Sequence, residues 1–142
     1  MKERQFHKIA PPVWRSKRFI SLPDDGRLLW FYYATSPHQT GAGCCRIPSA
    51  YAEADLGWSR DRYEKNRQLL VDAEMIAFDS ETDELFVLRW FQHAPPANAK
   101  HAAGIASFFT ALDSDSVREQ AESEFVQTLW GERFTVEPSC AR

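Results

Sequence analysis

Hydrophobic and polar positions run along this chain with a period that changes several times, and each change marks an element. Val13, Trp14, Phe19, Ile20 and Leu22 are spaced as a docking segment for the helix that follows. Pro23 suits the first turn of that helix, where a missing amide has no partner to lose. Asp24 and Asp25 suit the same positive end. Leu28, Leu29, Phe31, Tyr32 and Tyr33 then describe a heavily buried helix. Gly26 inside it costs about 1 kcal/mol relative to alanine, so packing rather than propensity must hold it. Residues 36–43 read as a glycine-containing loop, and residues 42–47 as a short strand.

The stretch from Ile47 to Phe91 divides into a short helix, a turn, a longer helix and a two-stranded ribbon. Ser49 can cap the first helix, Tyr51, Ala52 and Leu56 give it a thin apolar stripe, and Gly57 is a natural exit. Ser59 caps the second helix, with Asp61 at its positive end. Tyr63, Asn66, Leu69, Leu70 and Ala73 recur at helical spacing and face inward. After Glu74 the period shortens. Residues 75–78 and 85–90 alternate or run apolar around the polar turn 79–84, which is a hairpin pattern. The strand at 42–47 completes a small three-stranded sheet.

Pro95 and Pro96 stop the sheet. From Asn98 a helical stripe of Ile105, Phe108, Phe109 and Leu112 appears, broken over residues 112–115. Val117, Ala121, Phe125 and Leu129 then continue at four-residue spacing to Trp130, with Gly131 as an exit. These two C-terminal helices either pack back onto the preceding elements or offer an apolar stripe to a second copy of the chain.

Four phrases carry a resemblance: LPDDGRLLWFYY from Leu22, RIPSAYAEADLGWS from Arg46, LLVDAEMIAFD from Leu69 and ELFVLRWFQHAPPAN from Glu84. They resemble the N-terminal winged-helix domain of phage and prophage replication proteins of the replisome-organiser type, over roughly Val13 to Trp130. The resemblance implies an α+β, mostly helical fold, a winged helix-turn-helix with a small sheet, here followed by two additional C-terminal helices. Together with the residue pattern at the two ends, it divides the chain into a flexible basic arm (1–12), a winged-helix domain (13–93), a helical extension (94–130) and a loose tail (131–142). The family usually has glycine where Glu74 stands, at the bend between long helix and wing. A left-handed glutamate costs about 1 kcal/mol or more, so a differently built bend is the expectation here.

Composition narrows the function classes. The chain has 142 residues, 44% of them hydrophobic and 13% aromatic, which suits one folded domain. No apolar run approaches a membrane span, and MKERQFHK leads into no apolar stretch, so it does not read as a signal peptide. A cytoplasmic protein is the expectation. Three cysteines, two of them adjacent, make neither a disulfide framework nor a zinc site; Cys44 and Cys45 should face opposite ways, one into the core and one outward. The net charge is −3, unevenly placed. Residues 1–18 hold six cations against Glu3 and carry +5, which leaves −8 for the remainder. A basic arm on an acidic body suits nucleic-acid binding, and equally a solvated leader.

In a DNA-reading winged helix the second helix lies in the major groove. With Tyr63, Asn66, Leu70 and Ala73 inward, Arg60, Asp61, Glu64, Lys65 and Gln68 face out. Arg60 and Lys65 suit guanine and Gln68 suits adenine. Asp61 and Glu64 oppose phosphate and are expected to pair within the helix, Asp61 with Lys65 and Glu64 with Arg67 or Gln68. The bland alternative is an ordinary solvated face. The acidic wing tip, Asp79, Glu81, Asp83 and Glu84, is expected to stay away from a groove of negative potential. Arg15, Lys17 and Arg18 are then the candidates for phosphate contacts. The five tryptophans are spread over separate elements and read mostly as core or interface. His7, His38, His93 and His101 lack metal-ligand spacing, Ser49 and Ser59 read as caps, and no cofactor or catalytic constellation is expected.

Two functions follow. One is a phage-type winged-helix protein that binds double-stranded DNA for replication or regulation, through Arg60, Lys65 and Gln68 in the groove and Arg15, Lys17 and Arg18 on the backbone, with a possible homodimer through the C-terminal helices. The other is a protein-interaction adaptor or inhibitor that uses its acidic surface on a basic partner and binds no DNA.

Overall fold

The structure, a computed structural model, describes residues 6–130. It is α+β and mostly helical. A 3-10 turn at Pro11–Arg15 leads into α1 (Lys17–Ile20) and α2 (Asp24–Thr35); β1 (Cys44–Arg46) follows, then α3 (Ser49–Leu56) and α4 (Arg60–Asp72). A hairpin of β2 (Ile76–Asp79) and β3 (Glu84–Val87) comes next, then α5 (Trp90–His93), α6 (Ala99–Thr110) and α7 (Asp115–Phe125). The three strands form one antiparallel sheet in the order β1-β3-β2. Leu85 of the central strand lies opposite Cys45 on one side and Phe78 on the other.

Local chemistry accounts for most element boundaries. Ser59, Asn98 and Ser114 each accept a hydrogen bond from an amide of the turn they cap, which satisfies a donor that the helix itself leaves free. Gly57, at φ 70°, ends α3 in the left-handed conformation. Ser49 does not act as a cap; that place belongs to Pro48, which cannot accept through its side chain. Gly26 sits where a β-carbon would lie 3.3 Å from the Leu22 side chain, so close packing of the docking segment explains its place in α2. Within that segment Val13, Phe19 and Leu22 are buried, while Trp14 and Ile20 are exposed.

Each face of the sheet is covered. Phe78 lies beneath the Arg67 guanidinium of α4, and Cys45 approaches Gln39, whose amide donates to the Tyr33 carbonyl of α2. On the opposite face Phe86 meets Phe91, which contacts Phe109 of α6 and Phe125 of α7. Two covered faces explain why both Cys44 and Cys45 are buried, contrary to the expectation that one would face outward. Burial pushes both thiols up, Cys44 to about 11, and thiolate chemistry at neutral pH is suppressed. Gly43, at φ 87°, must be glycine, because a β-carbon there would fall 2.6 Å from Trp90 and 2.8 Å from Phe86.

The C-terminal helices pack back. Ala102, Ile105, Phe109, Val117, Ala121 and Phe125 belong to the same core as the buried residues of the first ninety positions. The last helix is shorter than its four-residue spacing suggests. It ends at Phe125, Gln127 and Thr128 turn by amide bonds to Glu124 and Phe125, and Leu129 is 88% exposed. Trp130 is drawn back by its indole N–H, which donates to the Pro96 carbonyl. The tail expected at 131–142 lies outside the described residues.

The hairpin differs most from the sequence reading. Its turn is tied down against α7 rather than projecting as a wing. Glu84 is 4% exposed and its carboxylate accepts from the amides of Asp113 (3.0 Å) and Ser114 (2.7 Å). Asp79 accepts from the Glu81 amide and from the Ser114 hydroxyl, the main cause of its lowered pKa. The acidic turn is therefore partly a cap for the start of α7, where amide dipoles favour an anion. The bend at Glu74 keeps its left-handed form after all, with Glu74 itself at φ 58°, so the expectation of a differently built bend is corrected.

Replacing Glu84 by alanine should strand two amides and destabilise the fold by about 2–4 kcal/mol in urea unfolding, with glutamine costing roughly half of that. Glu74→Gly should raise stability by about 0.5–1 kcal/mol through relief of the left-handed strain, offset in part by unfolded-chain entropy. Glu74→Ala, which keeps a β-carbon, should show no such gain.

Candidate nucleic-acid interface

Helix α4 is fixed from three sides and open on the fourth. The Tyr33 and Tyr63 hydroxyls meet at 2.7 Å in the buried seam between α2 and α4. Asn66, 4% exposed, donates to the Arg62 carbonyl. Tyr32 donates to Asp55 at 2.6 Å, and His38 reaches the same carboxylate at 3.0 Å, which ties α3 to α2 and its following loop. Among the described residues nothing covers the remaining side of α4, where Arg60, Asp61, Glu64, Lys65, Gln68 and Asp72 are all exposed. The expected outward set is therefore confirmed as outward.

The charges on that side are arranged differently from expectation. Arg60 forms a close ion pair with Glu53 of α3. Gln68 donates to Asp72 at 2.8 Å instead of pairing with Glu64. Arg67 is taken up by the Phe78 and Tyr63 rings at 4.1 and 5.2 Å, and so is not a partner for Glu64 either. Asp61 and Lys65 form no salt bridge with each other. At 100° per residue the outermost stripe is Asp61, Glu64, Lys65, Gln68 and Asp72, three carboxylates against one ammonium.

Arg62 was missed by the sequence reading. It makes paired 2.9 Å bonds to Asp25 and lies 4.5 Å over the Trp58 ring. The Arg62 contact is the main cause of the lowered Asp25 pKa. No local signal could reveal it, since the partners are 37 positions apart.

Arg15, Lys17 and Arg18 are exposed as expected. Arg15 and Lys17 form no salt bridge among the described residues, and Arg18 lies 3.8 Å from Glu74. The arm therefore meets the far end of α4, while Arg60 sits at the other end of a 13-residue helix, about 18 Å away at 1.5 Å per residue. Trp14 is 60% exposed beside these cations, packed at its edge on Phe19 and Phe31, so one tryptophan does have basic neighbours.

The arm is less free than its composition suggests. The Ala10 amide donates to His93 Nδ1 at 2.9 Å, and His7 rests against Trp90. Residues 6–12 are thus held against α5; residues 1–5 lie outside the described residues. Burial, and then the charge of Arg89, lower the His93 pKa below its usual 6.5. The neutral ring is the one that can accept from Ala10.

Among the described residues no group of three or more His, Cys, Asp or Glu side chains could hold a metal ion, and no helix is long and apolar enough to cross a membrane.

Because the folded state holds His93 neutral, the unfolded chain binds the extra proton. Stability is full above pH 6.5 and falls as pH drops below it towards the lowered folded value. A His93→Gln variant, measured by thermal unfolding against pH, should lose that slope. No family model, no curated protein and no solved structure matches the chain.

Proposed function

We propose that this chain is a winged-helix protein of phage replication or regulatory type that binds duplex DNA. One observation carries the reading: among the described residues one side of the longer helix before the hairpin is exposed from Arg60 to Asp72, with the cations of the arm at one end. Lys65 and Gln68 face outward from α4, and Arg60 joins them at the cost of its pair with Glu53. Arg15, Lys17 and Arg18 supply phosphate contacts. The turn of the hairpin, bound to α7, takes no part. Such an interface draws its affinity mainly from the arm and its base selectivity from few side chains.

The three carboxylates on the outer stripe of α4 favour a second reading, an adaptor whose α4 face meets a basic protein partner. Anisotropy with labelled duplex DNA separates the two. Binding at about 50 mM salt that weakens steeply as salt rises is the expected result. Arg15→Glu with Lys17→Glu should weaken it at least about tenfold and flatten the salt slope by roughly two ions. Absence of binding at low salt rejects the duplex reading and leaves the adaptor.

A further inference from the structure

The underside of the arm encloses a cavity that neither reading uses. Its volume is about 290 Å³, and its walls include Ser16, Arg18, Trp30, Arg89, Gln92 and His93. Ala10, Pro12, Val13, Met75 and Leu88 complete the lining, and the polar side chains among the rest are mostly donors. Trp30 is 1% exposed and its indole N–H has no hydrogen-bond partner. A buried donor left unmatched costs about 1–3 kcal/mol, and native structures rarely tolerate one without a ligand, ion or water. His93 spends Nδ1 on the Ala10 amide, which puts the ring proton on Nε2 as a further donor. Two guanidiniums share the wall. Arg89 gives one N–H to the Glu74 carbonyl and keeps others, and Arg18 is close enough for its charge to act on Arg89.

The backbone at the cavity is strained at two positions. Arg89 and Glu74 both adopt left-handed φ, at 61° and 58°, a conformation costing non-glycine residues about 1–2 kcal/mol. Such outliers collect at ligand clamps. The left-handed form at Arg89 sets its amide on the Glu124 carboxylate at 2.8 Å while its side chain lines the cavity. Two carboxylates stand beside these guanidiniums, Glu74 at 3.8 Å from Arg18 and Glu124 close enough for its charge to act on Arg89. Glu74 is 75% exposed, Glu124 is engaged with the Arg89 amide, and neither lines the cavity.

We propose that this cavity is a seat for a phosphate group, held by Arg18 and Arg89, with the Trp30 ring in its wall as a reporter. A phosphate accepts from the two guanidiniums in a wall that is otherwise largely apolar, and arginine forks match its oxygens. The seat stands apart from the α4 reading, since a free phosphate ester would fill it as well as a backbone one.

The test is ¹H–¹⁵N spectroscopy of the full chain, in which each tryptophan indole gives its own signal and Trp30→Phe assigns one of them. Inorganic phosphate should shift the Trp30 signal saturably, and sodium chloride or acetate at equal ionic strength should not. Arg18→Ala, at an exposed position, should weaken the response at least about fivefold while the other indole signals stay in place. A stationary Trp30 signal, an equal response to chloride or acetate, or an unchanged affinity in Arg18→Ala overturns the seat. Once inorganic phosphate saturates the shift, a short duplex identifies the source: a Trp30 shift that saturates at a lower concentration of duplex phosphate assigns a backbone phosphate, and no response to the duplex assigns a free one. A phosphate response without duplex binding removes the duplex reading and keeps the seat.

Discussion

Strand β3 is the constraint from which the rest of the molecule follows. All four of its residues, Glu84 to Val87, are buried, because it pairs along both edges and is covered on both faces. A strand in that position must send alternate side chains into two different packings. Leu85 and Val87 go towards α2 and α4, and Glu84 and Phe86 go towards α6 and α7. An apolar run would satisfy the first face and most of the second. Glu84 is the exception, and its burial is tolerable only because two amides at the start of α7 meet its oxygens. The same contact fixes where α7 begins and removes the hairpin turn from any role as a free limb.

That arrangement decides which surfaces remain for function. With α6 and α7 on one face of the sheet and α2, α3 and α4 on the other, the outward side of α4 is left open. So is the short basic segment before α2. Their cations differ in availability. Arg60 and Arg62 are engaged by Glu53 and Asp25, while Arg15, Lys17 and Lys65 form no salt bridge among the described residues. Exposed pairs of this kind add little stability, so their effect is chiefly to reduce the field that α4 presents. A ligand of either sign would meet α4 as a mixed surface and the arm as a positive one.

Of the three left-handed non-glycine residues among those described, Asp83 lies in the hairpin turn and the other two stand where the hairpin joins the rest. Glu74 before β2 and Arg89 after β3 both take left-handed backbone, and the Arg89 side chain bridges to the Glu74 carbonyl. Closing the two ends of a hairpin through a side chain in this way holds the arm, α2 and α5 around one small cavity. His93 completes the enclosure by binding the arm at Ala10.

The sequence reading missed α5, the exposure of Phe108 in α6 and the cap at Pro48 in place of Ser49. Most of the element order, the cap at Ser59, a cap before α7, the exit at Gly57 and the inward face of α4 were legible in the sequence. They rest on interactions spanning only a few residues, whose spacing the chain displays directly. The outward placement of Arg60, Lys65 and Gln68 was legible for the same reason, as helical periodicity alone sets it. Tertiary structure decided the rest. Which cations are engaged depends on partners such as Asp25, which lies 37 residues from Arg62. The second cysteine is buried, and Glu84 with it, because the final helices return to cover the sheet. The cavity beneath the arm is assembled from residues that include Ser16, Trp30, Arg89 and His93, separated by up to 77 positions, and only long-range packing brings them together, since no local period encodes contacts at that range.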